Sequence, residues 1–402
     1  MARLTRRELL ILSAAAYAQP RTSAADRIAN VIREYEAQGF HRTATDVDRA
    51  SGEWLMAQVR AAGLDPSREL FSLSRVDPGR AVVTAPGAHI EGLPLFDGSF
   101  TDADGVKGRL GLVGSDAEVG LAESAPNGAA AGALGEARRA NRHRAIVLVT
   151  RGQRPGLCPN NAESFLHPFG PPVVQVSSEV ASALEELVHR GAEVVVVSQA
   201  KRTPAEAFNV IATIRGGDSA LPPLIVMTPR SGWYTCASER GGGIACWLEL
   251  MRTLRDSKPA RDVIFVASSG HELGQRGIEI FVERRPELMK HSRAWIHFGA
   301  NVGAAQEPGN NIQASDDDME AIEAKSMLAA GLTIDRRVPR GTVPSGEAGV
   351  VHRGGGRYLS LIGRSALFHN VADRGPEAVD VAMIARIAMV FTGIARELAG
   401  NT

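Results

Sequence analysis

Cysteine and aromatic residues are scarce in this sequence. The chain of 402 residues has three cysteines, and aromatic residues make up 5% of it. No two cysteines have the CxxC spacing of a zinc or redox motif, and the odd count argues against a complete disulfide framework. Pairing of Cys236 with Cys246 is left open.

The sequence also lacks an excess of either charge and any long apolar run. Its 45 basic residues are balanced by 45 acidic ones, so nothing indicates binding to nucleic acid or to an anionic membrane surface. No apolar run approaches the ~18 residues that a membrane-spanning helix needs. We therefore expect neither nucleic acid nor a membrane as a partner; the sequence does not determine the oligomeric state. The length favours two domains.

Residues 1–25 have the features of a twin-arginine export signal. TRRELL (residues 5–10) is followed by a short apolar run and by the potential cleavage site AYA (residues 16–18). A genuine signal would place the protein in the periplasm or outside the cell. The alternative is a short basic helix that stays on a cytoplasmic protein.

Strand and helix patterns alternate along most of the chain. Amphipathic helices are predicted over 26–38, 46–62 and 379–399, and the acidic run 316–318 is predicted to cap a helix that begins at Met319. This alternation predicts an α/β fold with a mainly parallel mixed sheet flanked by helices. Strands are predicted over 70–76, 81–84, 110–113, 145–149, 173–176, 194–197, 208–215, 223–228, 263–267, 294–299 and 358–362.

The central stretch is RDVIFVASSGHELGQRG (residues 261–277). Residues 263–267 read as a buried parallel strand, and His271 and Glu272 follow it. Ligands of α/β sheets bind beyond the carboxyl ends of the strands, so this imidazole and carboxylate are well placed for chemistry. A solvated loop is the alternative interpretation.

The order of motifs resembles one family. AFNVIATIRG (207–216) resembles the strand and turn that open the core of di-zinc aminopeptidases of the bacterial leucyl aminopeptidase and glutamate-carboxypeptidase type. VKGRLGLVG (106–114) and PPVVQVSSEVASALEEL (171–187) resemble the protease-associated domain inserted in some members. The resemblance implies a zinc-peptidase-like domain over 26–92 and 204–402, with a small α+β insert over 93–203. The insert has few paired carboxylates or imidazoles, which favours a structural role.

The family's metal motifs are only partly matched. The residues matching the bridging aspartate, the second glutamate of the Glu-Glu pair and the final histidine are Glu239, Glu272 and His369. The other metal's own ligands fall on TPR (228–230) and on Gly299 or Ala300, and are missing. The resemblance therefore implies at most one divalent metal, with zinc as the expected ion, held by Glu239, Glu272 and His369.

Other residues complete this predicted site. His271 replaces the family's general base, and an imidazole suits that role at neutral pH. Arg230 would provide a fixed positive charge for an oxyanion or a substrate carboxylate. Ser231 and Glu347 are predicted to contact substrate, and His297 could partly replace the lost aspartate.

Structural alternatives stay open for each residue. Glu239 could have no role beyond a surface ion pair with Arg240. Glu272 could cap the next helix, and His369 could be an ordinary loop histidine. Arg230 could neutralise Glu239 or Glu272 in a metal-free pocket.

Three functional hypotheses follow from these alternatives. The first is a divergent hydrolase of amide or related bonds in a peptide or small molecule, using at most one metal. The second is a metal-independent enzyme using His271 and Arg230. The third is a catalytically silent binding protein.

Overall fold

The computed structural model describes residues 22–400. The predicted export signal falls almost entirely outside them and stays a prediction. Within the described residues, no helix is both long and apolar enough to cross a membrane.

One large mixed sheet forms the core of the structure. Its strands run in the order β1-β7-β9-β8-β10-β13-β11-β12, and the four strands β9, β8, β10 and β13 are parallel. β8 is buried along its whole length, as expected of a parallel strand covered on both faces. The bounds are β1 (Ser67–Ala85), β7 (Glu193–Ile214), β8 (Leu224–Pro229), β9 (Val263–Ser268), β10 (Ala294–Phe298), β11 (Gly309–Ala314), β12 (Arg336–Arg337) and β13 (Tyr358–Arg364).

Helices cover both faces of this sheet. One apolar cluster packs α1, α2, α5, α8 and α10 against one face, and a second packs α6, α7 and α9 against the other. The bounds are α1 (Ala24–Glu36), α2 (Asp46–Ala61), α3 (Gly132–Arg139), α4 (Ala181–His189), α5 (Gly242–Arg255), α6 (Arg276–Glu283), α7 (Leu288–His291), α8 (Asp317–Ala329), α9 (Ala348–Arg353) and α10 (Val381–Ala399). The predicted α/β class is confirmed.

The remaining strands close into a ring with the ends of β1 and β7. Pairing runs β1-β2-β6-β5-β4-β3-β7 and returns from β7 to β1. The apolar cluster of this barrel includes Leu184 and Leu187 of α4. The bounds are β2 (Ala88–Pro94), β3 (Val106–Leu112), β4 (Val119–Ser124), β5 (Ala145–Thr150) and β6 (Val173–Ser177).

β1 and β7 connect the barrel to the main sheet without a linker. They pair from Ser67 with Ile211 to Thr84 with Val195, with one irregularity between Pro78 and Ala81. The barrel therefore also contains residues that precede position 93, where the insert was predicted to begin. The division into domains stays a prediction.

Candidate active site

A cavity of about 550 Å³ lies between the barrel and the carboxyl edge of the main sheet. The sheet contributes residues that follow β9, β10 and β13, as the general location of ligand sites in α/β sheets predicts. The barrel side contributes residues from the loops after β4 and β5. The side chains that line it include Arg151, Glu163, His271, Arg353 and Arg364.

His271 faces this cavity and is held by a buried carboxylate. It lies in a 3₁₀ turn just after β9, entered through Gly270 at a φ of 88°. Its Nδ1 is 2.9 Å from Oε1 of Glu347, which is fully buried. An ionised carboxylate can only accept here, so Nδ1 carries a proton, and in the neutral form of the imidazole the lone pair is on Nε2. Within the described chain no hydrogen bond engages Nε2.

Glu347 also contacts a second histidine. His297 Nε2 lies 3.3 Å from Glu347 Oε2, and His297 Nδ1 lies 2.8 Å from Ser360 Oγ. Burial alone would raise the pKa of Glu347, but His271 and His297 hold it well below the ordinary value. Glu347 is therefore an anion placed between two imidazoles. We call His271, Glu347, His297 and Ser360 the imidazole network.

A second charged group lies deeper, where the chain enters α5. Glu239 and Arg240 occupy a π-helical turn over Ala237–Gly241, entered through Cys236 at a φ of 54°. Arg240 Nη2 lies 2.7 Å from Glu239 Oε1, and His369 Nε2 lies 3.4 Å from that same oxygen. All three side chains are at most 2% exposed. We call Glu239, Arg240 and His369 the guanidinium cluster.

The charge of Glu239 is fixed by its neighbours. Burial would raise its pKa, but the charges of Arg240 and His369 hold the pKa far below the ordinary value. Asp373 Oδ1 and Oδ2 accept hydrogen bonds from the backbone N–H groups of Ser238 and Glu239. Burial nevertheless raises the pKa of Asp373 to about 7.

Glu272 and Ser231 bind each other and the backbone. Glu272 Oε1 accepts from the Thr43 N–H at 2.6 Å, and Oε2 accepts from the Ser231 hydroxyl at 2.8 Å. Ser231 Oγ in turn accepts from the N–H groups of Gly270 and His271. Glu272 thus ties the His271 turn to the loop before α2. These contacts engage both oxygens of Glu272 and the hydroxyl of Ser231, and the metal ligation predicted for Glu272 and the substrate contact predicted for Ser231 stay predictions.

Arg230 lies in a different buried pair from the one predicted. Its Nη1 donates to Asp48 Oδ1 at 2.7 Å, and Nη2 donates to the Phe208 carbonyl at 2.6 Å. It is fully buried and does not line the cavity. Because its donors are directed at the protein interior, Arg230 is not positioned as a clamp for substrate.

The cavity itself is lined by more basic than acidic side chains. Arg151, Arg353 and Arg364 line it, with Glu163 as the acidic residue. Arg151 pairs with Glu123. Arg364 donates to the carbonyls of Glu307 and Pro308. Among the described residues, no carboxylate pairs with Arg353 or Arg364. The cavity therefore offers two positive charges that the protein itself leaves unneutralised.

Solved structures of zinc aminopeptidases match nearly the whole chain. One from Bacillus subtilis is 16% identical with a TM-score of 0.76, covering 94% of this chain and 96% of that chain. A peptidase precursor from Shewanella amazonensis is 16% identical with a TM-score of 0.71, covering 98% and 96%. The chain has the zinc-aminopeptidase fold. No protein-family model and no curated protein matches the sequence.

The zinc-aminopeptidase fold does not by itself determine the reaction, because one fold can host different chemistries. A glutaminyl cyclase from Porphyromonas gingivalis also matches, at 12% identity and a TM-score of 0.51, covering 93% of this chain and 98% of that chain. The function must therefore be argued from the side chains of this particular site.

The predicted metal-ligand set does not fit a metal in this zinc-aminopeptidase fold. Glu272 is engaged by Thr43 and Ser231, and a guanidinium lies against the carboxylate oxygen of Glu239. Across residues 22–400, no three His, Cys, Asp or Glu side chains form a group that could hold a metal ion. The arginine that neutralises a predicted ligand is Arg240, rather than Arg230.

Sequence reasoning placed several of these residues but missed their partners. Glu239 does pair with Arg240, but in the interior rather than at the surface. The positive charge of Arg353 in the cavity was not foreseen, because nothing in the sequence around the short helix α9 marks it. His297 shares the Glu347 carboxylate with His271, and its partial replacement of the lost aspartate stays a prediction.

Proposed function

We propose that the protein hydrolyses an amide or related bond in a peptide or small molecule, with His271 as the general base. The contact of His271 Nδ1 with the buried Glu347 carboxylate carries this proposal. It fixes the imidazole with a proton on Nδ1 and a lone pair on Nε2, at the wall of a cavity of suitable size for a small ligand. The same carboxylate–imidazole arrangement orients the base in hydrolytic triads.

The proposed step begins with a water molecule between His271 Nε2 and the substrate carbonyl. Nε2 takes a proton as the water oxygen bonds to the carbonyl carbon. The imidazolium then gives that proton to the leaving nitrogen as the carbon–nitrogen bond breaks. Glu347 stabilises the imidazolium, and His297 holds Glu347 in place through its second oxygen. Such a base contributes about 10²–10⁴ in rate.

This proposal favours the metal-independent hypothesis, with Glu347 in place of Arg230 as the partner of His271. The carboxylates of two predicted zinc ligands are already engaged, Glu272 by Thr43 and Ser231 and Glu239 by Arg240.

The proposed substrate carries a carboxylate or another anionic group. Arg353 and Arg364 line the cavity with no carboxylate partner among the described residues, and guanidinium groups bind carboxylates well. Peptides with a free carboxyl end and N-acyl amino acids are the first compounds to test.

The experiment is a hydrolysis screen of such amides with the full chain, followed by mass spectrometry of the products. His271→Ala should abolish turnover of any substrate found while leaving its binding nearly unchanged. His167→Ala is the matched control, because His167 is exposed and outside the cavity. A substrate turned over equally by wild type and His271→Ala would contradict the proposal. Binding of these amides without turnover by the wild type would favour the binding-protein hypothesis.

A further inference from the structure

Two carboxamide side chains in the wall of the cavity have no hydrogen-bond partner in the described part of the chain. Gln275 and Asn301 both line the cavity, and each is at most 9% exposed. Asn301 Oδ1 is buried and unpaired. Among residues 22–400, no hydrogen bond engages Asn301 Nδ2 or either amide atom of Gln275. Buried amides are normally paired, so these two call for an explanation.

Both residues also have a left-handed backbone that most side chains avoid. The φ angle is 60° at Gln275 and 60° at Asn301. Asparagine tolerates this region and glycine adopts it freely, whereas glutamine is uncommon there. Backbone strain of this kind is concentrated at functional sites. A glutamine at such a position indicates that the site uses its side chain.

Gln275 belongs to the same turn as His271. Its N–H donates to the carbonyl of His271 at 3.2 Å, and its own carbonyl accepts from the N–H of Ile278 at 3.1 Å. The turn therefore fixes the backbone of Gln275 relative to His271, and both side chains line the same cavity.

Asn301 is fixed at a different place along the edge of the sheet. It follows β10, and β8 lies between β10 and β9, so the two strands are about 10 Å apart. Its N–H donates to the carbonyl of Glu239, and its carbonyl accepts from the N–H of Ala304, both at 3.2 Å. A Cβ on Gly363 would lie 1.7 Å from that carbonyl oxygen. Asn301 is therefore held tightly, two strands away from the His271 turn.

We propose that Gln275 and Asn301 bind the amide group of the substrate, with Asn301 Nδ2 donating to its carbonyl oxygen and Gln275 Oε1 accepting from its N–H. This inference rests on the proposed function, because it takes the ligand to be the amide on which His271 acts. The carbonyl and the N–H of a trans amide point in opposite directions, so two separated side chains can each bind one of them. Because Asn301 Oδ1 is closed off, Nδ2 is the end that reaches the cavity. The site is therefore expected to prefer a secondary amide to an ester of the same shape.

The test measures Kd by calorimetry for matched amides and esters, with His271→Ala protein so that no turnover interferes. The probes are the N-benzoyl derivatives of glycine, alanine and phenylalanine, and the O-benzoyl derivatives of the corresponding 2-hydroxy acids, which lack the N–H. At least one amide should bind, about tenfold or more tightly than its ester.

Two added substitutions separate the two contacts. Gln275→Gly should remove the preference by weakening binding of the amide alone, because the ester never had the N–H. Asn301→Gly should weaken the amide and the ester alike by about tenfold, because both have the carbonyl. Asn141→Gly is the matched control and should change no Kd. Asn141 also has a left-handed backbone, with a φ of 48°, but it is exposed and outside the cavity.

Thermal unfolding shows whether each variant is folded. Glycine suits the left-handed backbone, so the glycine variants should unfold near the temperature of His271→Ala alone. Gln275→Asn, which ends one methylene short, and Asn301→Asp, which has no amide donor, replace any glycine variant that does not fold. They should give the same two patterns of binding.

The inference is overturned if no amide binds, or if each amide and its ester bind equally. It is overturned as well if Gln275→Gly weakens both ligands equally, as a merely structural role would, or if Asn301→Gly changes neither Kd. The proposed hydrolysis is judged separately, by turnover with the wild type. Amide-selective binding without turnover would support these contacts and contradict hydrolysis.

Discussion

The imidazole network and the guanidinium cluster both contain residues at or just after strands of one sheet, yet they differ in how their polar atoms are satisfied. In the imidazole network Glu347 contacts an imidazole with each oxygen, and His271 reaches the cavity. In the guanidinium cluster the three central atoms are closed off and lack hydrogen bonds. Both groups contain buried charges, so burial of charge does not distinguish the proposed reactive group from the other one. What distinguishes the imidazole network is a proton acceptor, His271, that is oriented by Glu347 and reaches the cavity.

Of the substitutions considered, replacing His271 should have the largest effect on activity. His271→Ala is expected to lower kcat by about 10²–10⁴ on a substrate found in the amide screen, because the general base is lost. KM should change little, since the cavity arginines remain. Steady-state kinetics measure both quantities, with His167→Ala as the unaffected control.

Glu347→Gln tests whether the negative charge of Glu347 is needed when His271 takes up a proton. The amide keeps the size of Glu347, but it cannot stabilise the imidazolium of His271. We expect kcat to fall and KM to be retained, as for His271→Ala. An unchanged kcat would show that the contact between Nδ1 and Glu347 has no part in the reaction.

Breaking the ion pair of the guanidinium cluster should affect stability. Arg240→Met leaves Glu239 as an unpaired buried charge, which typically costs about 3–5 kcal/mol of unfolding free energy. Glu239→Leu/Arg240→Met removes both charges and should recover most of the loss. Urea unfolding of wild type, both single variants and the double variant measures this. A double variant as unstable as Arg240→Met would argue against an isolated charge as the cause.

The contribution of Glu323 to folding stability should depend on pH in the opposite way to that of Glu347. Both oxygens of Glu323 in α8 are buried without a hydrogen bond, and burial raises the pKa of Glu323 well above 4.5. A raised folded pKa contributes stability below the ordinary pKa, and this is lost as the pH rises through the folded value. The lowered pKa of Glu347 contributes stability above its ordinary pKa, lost as the pH falls through the folded value.

Glu323→Gln should therefore flatten the fall in stability toward high pH. An amide cannot ionise, so the variant should be about 1–3 kcal/mol more stable than wild type above the folded pKa of Glu323. Unfolding by urea across the pH range measures the difference. A difference that does not grow as the pH rises would contradict the assignment.

Removing a cavity arginine should have the smallest effect. Arg353 is exposed, and an exposed ion pair is worth about 1 kcal/mol or less. Arg353→Ala should raise KM for a carboxylate-bearing amide by up to about fivefold with kcat unchanged. The effect should shrink with added salt and vanish for the corresponding neutral amide. An equal effect on both substrates would argue against charge recognition.

The sequence predicted the helices whose apolar residues recur at a regular helical spacing. The helices α1, α2 and α10 lie within two residues of their predicted bounds, and Asp316 caps α8 by accepting from the Met319 N–H, as predicted. The length of β1 and β7 was not predictable. Separate short strands were predicted over 70–76, 81–84, 194–197 and 208–215, whereas β1 and β7 continue through Pro78 and Pro204 and pair with each other at those positions.

The sequence predicted that His271 lies at the site, but it did not predict which side chains contact each other there. His271 could be placed because a buried strand ends just before it. Its partner Glu347 is 76 residues away, and the partner of Arg230, Asp48, is 182 residues away. No local pattern encodes such pairings. The burial of Arg240 depends on a π-helical turn, for which the sequence GGG after it gives no specific signal.

The most direct test of this account is the turnover of an amide substrate by the full chain before and after exhaustive dialysis against EDTA, with zinc then added back. We predict the same rate in all three samples, because His271 and Glu347 supply the base without a metal ion. A rate that disappears on dialysis and returns with zinc would contradict the account.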